Sequence, residues 1–271
     1  MNFGANFFGL LPAGDLNWIR QATVYGKWDW TMKNDHKNAL TKTIGEIIAG
    51  LADMAWPNLC LLCERPLMRG EHHVCLNCLY ELPALQETSF RENNTADRFL
   101  GKLEFERAAS GFRYNKDSNI QKALELLKYK GEKEIGSCLS KVSAIRLSNQ
   151  GFFKDIDALV PVPLHKRKQK KRGYNQSEWI ANGISEITGI SVNNELLGRT
   201  VHNTSQTTKN LWSRWENAQG LFELKIDEGF SGKHLLLVDD VLTSGSTLVA
   251  CGQVLSQIPN VRISFFALAL A

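Results

Sequence analysis

Cysteines stand at 60, 63, 75 and 78 in CLLCERPLMRGEHHVCLNC, a C-x2-C-x11-C-x2-C pattern. Two residues between cysteines let both thiolates of a pair face one point from a tight turn. Two such turns supply Cys60, Cys63, Cys75 and Cys78 as four sulfurs in a tetrahedron, which suits Zn²⁺. The loop between the pairs is shorter than in many zinc ribbons, so a small knuckle is predicted, turned by Pro66 and Gly70. Two metal-free pairs, reduced or disulfide-linked, are the competing reading, and His72 or His73 standing in for one cysteine is another. A site closed by four cysteines has no open position, so its role is structural. Cys138 and Cys251 lie in helical patterns and read as buried apolar residues.

A second cluster is HLLLVDDVLTSGST, residues 234–247. A buried strand runs to Val238, and Asp239 and Asp240 stop it. In a parallel sheet, ligands bind outside the carboxyl ends of strands. The following loop enters a helix, whose first turn presents unpaired N–H groups and the positive end of its dipole. Thr243, Ser244, Ser246 and Thr247 add hydroxyls, and Gly245 lets the backbone come close, so the loop is a nest for a phosphate monoester. The carboxylates repel phosphate but accept hydrogen bonds from vicinal sugar hydroxyls. A plain capped helix needs one hydroxyl residue and leaves the adjacent like charges unexplained.

KRKQKKR, residues 166–172, carries six positive charges in seven residues. A solvated surface loop is the bland reading. The run follows a strand end at Pro161 and Pro163, however, which is the ligand edge. Lys166, Arg167, Lys168, Lys170, Lys171 and Arg172 are therefore candidates for a mobile cationic loop that closes over pyrophosphate. Contact with a nucleic-acid backbone is the compatible alternative, with Gly173 as hinge and Tyr174 stacking on a base. Lys128 and Lys130, in KYKGEK, are lesser candidates for the same edge.

The acidic pair and hydroxyl loop resemble the phosphoribosyl pyrophosphate (PRPP) motif of type I phosphoribosyltransferases. The rest of the C-terminal half resembles the ComF/GntX-like branch of that family. The features that carry this are VPVP, RGYNQ, Gln206-Thr207, the spacing of Arg214, Asn217 and Phe222, and a four-cysteine unit ahead of the domain. The match spans roughly residues 45–271; residues 1–35 have no counterpart, and Ser244 stands where threonine is common. The resemblance implies that Asp239 and Asp240 hold the ribose hydroxyls and that Thr243 to Thr247 hold the 5′-phosphate. It implies Mg²⁺ carried with PRPP, displacement of pyrophosphate from the anomeric carbon, and assistance from Arg172. It identifies neither a base nor an acceptor; the acceptor-binding hood of such enzymes corresponds here to the cysteine unit. Two functions follow as expectations. One is a phosphoribosyl-transferring or PRPP-hydrolysing enzyme. The other is a PRPP-sensing or single-stranded-DNA-binding accessory of DNA uptake, working with competence-machinery proteins.

The elements that must position these residues alternate in type. RAASGFRY (107–114), IDALVPVPL (156–164), HLLLV and ISFFALAL (263–270) read as strands. Between them, helical patterns cover Ile120 to Lys128, 132–148, 175–188 with Trp179, Ile180, Ile184 and Ile187 inward, 213–219 and 245–257. Such alternation implies a parallel sheet with helices on its faces. The expected fold is therefore α/β: a type I phosphoribosyltransferase-like sheet flanked by helices, with a small N-terminal zinc-binding domain. The expected division is an extension at 1–35, a helix plus four-cysteine unit at 36–100, and the phosphoribosyltransferase-like domain at 101–271. A helix is predicted from Thr41 to Pro57, and a linker or surface loop over 84–103.

With 32 basic and 28 acidic residues, the net charge of +4 is too mild for a whole-surface nucleic-acid binder. No apolar stretch is long enough to span a membrane. The N-terminus lacks the basic region of a signal peptide, and Met32 is a candidate true start. Paired C-x-x-C without an export signal reads as metal or redox chemistry, which predicts a cytoplasmic protein.

Overall fold

The computed structural model describes residues 57–200, 221–226 and 228–271. The N-terminal extension, the helices expected near 41–56 and 213–219, and Gln206, Thr207, Arg214 and Asn217 lie outside them. In chain order the elements are α1 (Leu76–Glu81), β1 (Ala108–Arg113), α2 (Asn119–Glu125), α3 (Glu134–Asn149), β2 (Ala158–Pro161), α4 (Lys166–Arg172), α5 (Gln176–Thr188), β3 (Leu197–Arg199), β4 (Phe222–Leu224), β5 (His234–Leu242), α6 (Ser246–Leu255) and β6 (Arg262–Leu270).

Four parallel strands form the main sheet in the order β1–β6–β5–β2. A parallel bridge from Leu159 to Val192 extends it past β2. Helices cover both faces, so the central strands are near-continuous apolar runs. Leu235 to Val238 are fully buried. Leu235 and Leu237 face α6, with Leu248, Val249 and Leu255. Leu236 and Val238 face α3 and α5, with Leu139, Val142, Ile180 and Ile184. This is the parallel sheet flanked by helices that the sequence pattern implies.

The α3–α5 crossing is close because Gly183 has no side chain. A Cβ there would overlap the Ser137 backbone and the Ser140 hydroxyl. Asn175 caps α5 by accepting from the Ser177 amide, and Gly189 ends it at φ 74°. Trp179 and Ile187 are half-buried rather than fully inward, and Lys133 sits 4.6 Å over the Trp179 ring.

Two segments differ from the sequence reading. Residues 84–103 are not a surface loop: Leu85, Ala96 and Phe99 are core residues, and Phe99 stacks on Phe265 at 4.1 Å. The segment buries apolar groups without helix or strand period, so periodicity could not reveal it. Its backbone is held instead by Asn93, which accepts from the Thr95 and Ala96 amides. The second difference is KRKQKKR, which is the helix α4 and not a loop. The His165 ring caps it by accepting from the Arg167 amide, and Gly173 ends it at φ 81°. Among the described residues, no helix is long and apolar enough to cross a membrane.

Candidate functional site

β5 does not stop at its acidic pair. It runs on beside β6, with Asp239 opposite Ala267 and Leu242 opposite Leu270. Its other neighbour ends earlier, since the β2 register closes at Pro161 opposite Val238. Asp239 and Asp240 therefore overhang the end of β2, half-buried, at the carboxyl edge of the sheet.

Each carboxylate has its own partners. Asp239 Oδ1 accepts from the Ser177 hydroxyl at 3.1 Å and from the Asp240 amide at 2.9 Å. Asp240 Oδ2 lies 3.1 Å from Lys128 Nζ, with side-chain exposures of 17% and 23%. Burial and then the neighbouring Asp240 push the Asp239 carboxyl up to about 7, against the pull of the Asp240 amide, Ser177 and Lys128.

The hydroxyl loop follows directly. Gly245 has φ 78°, and a Cβ there would come within 3.1 Å of the Arg98 carbonyl. Glycine is thus required by both conformation and space. No side chain caps α6, whose N-cap is Gly245 itself. A serine or threonine N-cap is the bland explanation of this loop; Gly245 holds that position, and the Ser244 hydroxyl accepts from the Ser246 amide at 3.5 Å. Ser244 Oγ also donates to Ser246 Oγ at 3.1 Å, and Lys102 Nζ donates to the Ser244 carbonyl at 3.3 Å. Thr243 is exposed, while Ser244, Ser246 and Thr247 are half-buried, so a hydroxyl-lined turn leads into the glycine-capped helix start.

The basic residues divide. Lys166, Arg167, Lys168, Lys170 and Lys171 are exposed on α4, which buries no residue. Arg172 lies 5.3 Å over the Tyr129 ring, which ties the end of α4 to the turn that carries Lys128. Tyr174 is not a free stacking platform: its hydroxyl donates to the Leu127 carbonyl and its ring packs on the core. Lys128, a lesser candidate in the sequence, is among the described residues the lysine ion-paired with the acidic pair.

The four cysteines come together as their spacing predicts. The Sγ atoms of Cys60, Cys63, Cys75 and Cys78 lie within 4.8 Å of one another, and all four are free. Cys63 and Cys75 Sγ are 3.7 Å apart, against about 3.8 Å for two sulfurs of a tetrahedral zinc site. The Cys75 amide donates to Cys60 Sγ at 3.3 Å and the Cys78 amide to Cys75 Sγ at 3.5 Å. Hydrogen bonds from the Arg65 backbone and guanidinium hold the Cys63 thiol down at about 6, while burial holds Cys75 and Cys78 up. The donor set fits a zinc ion. The exposed His72 and His73 are not part of the cluster.

Three residues near the edge were not singled out from the sequence. Ser177 follows RGYNQ directly, but only the α5–β5 packing brings its hydroxyl to Asp239. Arg199 lies 5.1 Å over the Phe222 ring with a buried, unpartnered Nε, and burial lowers its pKa while Cys251 and Asp239 resist. Lys102 lies in the segment read as a linker. A 450 Å³ cavity lined by Arg91, Gly101, Leu103, Phe105 and Arg262 opens at the amino end of β6, next to the segment that carries Lys102.

The fold and site thus define an α/β protein with a parallel sheet, an acidic, hydroxyl-rich carboxyl edge and a four-cysteine centre. No family model matches the chain. It is 26% identical over 210 residues to the DNA utilization protein YhgH of Escherichia coli, covering 73% of this chain and 91% of that protein. It is 32% identical over 116 residues to competence protein F of Haemophilus influenzae, covering 42% of this chain and 51% of that protein. It is 25% identical over 199 residues to competence protein ComFC of Bacillus subtilis, covering 70% and 68% respectively. Its relatives are thus competence and DNA-utilization proteins.

Proposed function

We propose that this protein is a ComF-type, PRPP-binding phosphoribosyltransferase-like protein of DNA uptake and use, with structural zinc in its cysteine centre. The observation that carries the reading is the pair of half-buried carboxylates overhanging β2 and leading into a hydroxyl-lined helix start whose N-cap is a glycine. Carboxylates there accept from ribose hydroxyls, and the loop amides and hydroxyls receive the 5′-phosphate. Two adjacent carboxylates also suit Mg²⁺, which takes one or two such ligands beside phosphate oxygens. The chemistry that follows is displacement of pyrophosphate from the anomeric carbon by an acceptor. Positioning and charge stabilisation would supply most of the rate.

Titration calorimetry with PRPP and Mg²⁺ tests the reading. Wild type binds, and Asp239→Asn/Asp240→Asn binds at least about 100-fold more weakly, as expected when two charged acceptors are lost. A wild type that does not bind PRPP overturns it. Release of pyrophosphate on addition of acceptors separates a transferase from a PRPP sensor. A second reading, an accessory that binds single-stranded DNA, is favoured by one observation: the five exposed cations of α4 from Lys166 to Lys171. It is compatible with the first.

A further inference from the structure

The hydroxyl loop has a wall behind it. The wall is the turn at residues 98–102, closed by the Lys102 amide donating to the Phe99 carbonyl at 3.0 Å. Phe99 anchors the turn, being fully buried and stacked on Phe265 of β6 at 4.1 Å. Arg98 ties it to the end of the same strand by donating to the Ala271 carbonyl at 2.9 Å. The turn meets the loop at two points. The Arg98 carbonyl and the Phe99 ring stand 3.1 Å and 3.5 Å from where a Gly245 Cβ would be. The half-buried Lys102 ammonium bridges the Arg98 carbonyl at 2.8 Å and the Ser244 carbonyl at 3.3 Å.

The second contact sets the direction of a peptide group. Ser244 and Gly245 are joined by a trans peptide, in which C=O and N–H point opposite ways. Lys102 holds the Ser244 carbonyl on the side of the wall. The Gly245 amide is thereby turned to the far side of the loop, away from residues 98–102. An ammonium on the carbonyl also polarises the peptide and makes its N–H a stronger donor. Glycine accepts either sign of φ, so this peptide is easily flipped and an outside contact is needed to fix it. The direction matters for anion binding, because a nest needs successive amides aimed at one point. A flipped peptide would present a carbonyl oxygen to the anion and repel it.

We propose that Lys102 is a positioning residue for a phosphate monoester: it locks the Ser244–Gly245 peptide so that the Gly245 amide donates into the loop. The assignment rests on the PRPP reading above, in which the loop receives the 5′-phosphate. Lys102 itself does not touch the ligand and acts through the Ser244 carbonyl. It reaches the loop from the segment ahead of β1, far away in the chain.

The test is calorimetry on wild type, Lys102→Met and Lys102→Arg, with ribose 5-phosphate, PRPP and inorganic pyrophosphate, each with Mg²⁺. Thermal melts first establish that each variant is folded, and Lys102→Gln replaces methionine if it is not. Loss of the bridge is expected to weaken ribose 5-phosphate and PRPP about 10-fold. Pyrophosphate, which has no 5′-phosphate, should bind unchanged. Arginine keeps a charged donor for the two carbonyls and should stay within about threefold of wild type. Equal weakening of all three ligands would make Lys102 a general support of the sheet edge and overturn the proposal. An arginine variant as weak as methionine would also overturn it. If methionine binds ribose 5-phosphate and PRPP as tightly as wild type, the proposal fails and the PRPP reading stands. If wild type binds neither, both fall.

Discussion

Asp239 is held where an ionised carboxylate is costly to the fold. Burial and the adjacent Asp240 raise its carboxyl to about 7. A carboxyl raised above its ordinary value of 3.8 binds a proton more tightly folded than unfolded. Its contribution to stability is therefore fully present below that ordinary value and is lost as pH rises through about 7. Asparagine keeps the acceptor for Ser177 and removes the charge. Asp239→Asn is thus expected to melt higher than wild type at pH 8, by about 2–6 °C, with the gap closing as pH falls toward 4. Thermal melts across that range check it. An asparagine variant less stable than wild type at pH 8 would show that the contacts of the ionised carboxylate outweigh its burial. Strain of this kind is common where a site is kept ready for a ligand.

Among the elements, α4 is the least self-sufficient. Its cations face each other at i, i+4 (Lys166 with Lys170, Arg167 with Lys171, Lys168 with Arg172), which destabilises a helix. The His165 cap and Gly173 terminus hold it, with Arg172 anchored on Tyr129. A bound polyanion would relieve that repulsion. Changing Lys166, Arg167, Lys168, Lys170 and Lys171 to glutamine should then weaken binding of a single-stranded oligonucleotide. The slope of log affinity against log salt should fall by up to about 3.5, near 0.7 per phosphate contact. Fluorescence anisotropy at several salt concentrations reads it, and an unchanged slope would make α4 a plain solvated face. The sequence predicts a loop here because a seven-residue run with six cations has no apolar stripe to mark a helix. It does mark the strand at Leu235 to Val238, because burial on both faces leaves an unbroken apolar run. It marks Cys60 to Cys78 and the loop from Thr243 for the same kind of reason: their chemistry is contiguous in the chain. Ser177 and Lys128 converge on β5 from separate crossovers, and only the fold joins them. Phe99 stacks on Phe265 across the core from a segment with no period at all.

At the scale of the whole molecule, the cysteine centre and the acidic sheet edge lie at the two ends of one helical path. Cys60, Leu62 and Val74 belong to the same core as Ile120, Leu124, Ile135 and Leu139 of α2 and α3. Lys122 of α2 donates to the Leu62 carbonyl and pairs with Glu64 at 3.0 Å. Cys138 of α3 lies 3.9 Å from the His72 carbonyl. α2 then runs directly into the turn that presents Lys128 to Asp240. Zinc would cross-link the two cysteine turns and so brace the amino end of that path. Without it, burial keeps Cys75 and Cys78 as neutral thiols, and hydrogen bonds such as that from the Cys75 amide to Cys60 Sγ are what join the turns. Removing the metal with a high-affinity chelator is expected to lower the melting temperature by about 5 °C or more, since structural zinc contributes folding energy directly. It should also weaken PRPP binding several-fold at a temperature where the metal-free protein remains folded, although the cysteines touch no part of the ligand edge. Restoring one equivalent of zinc should recover both. A metal-free protein that stays folded and binds PRPP with undiminished affinity would confine the cysteine centre to local stability and break the link to Lys128.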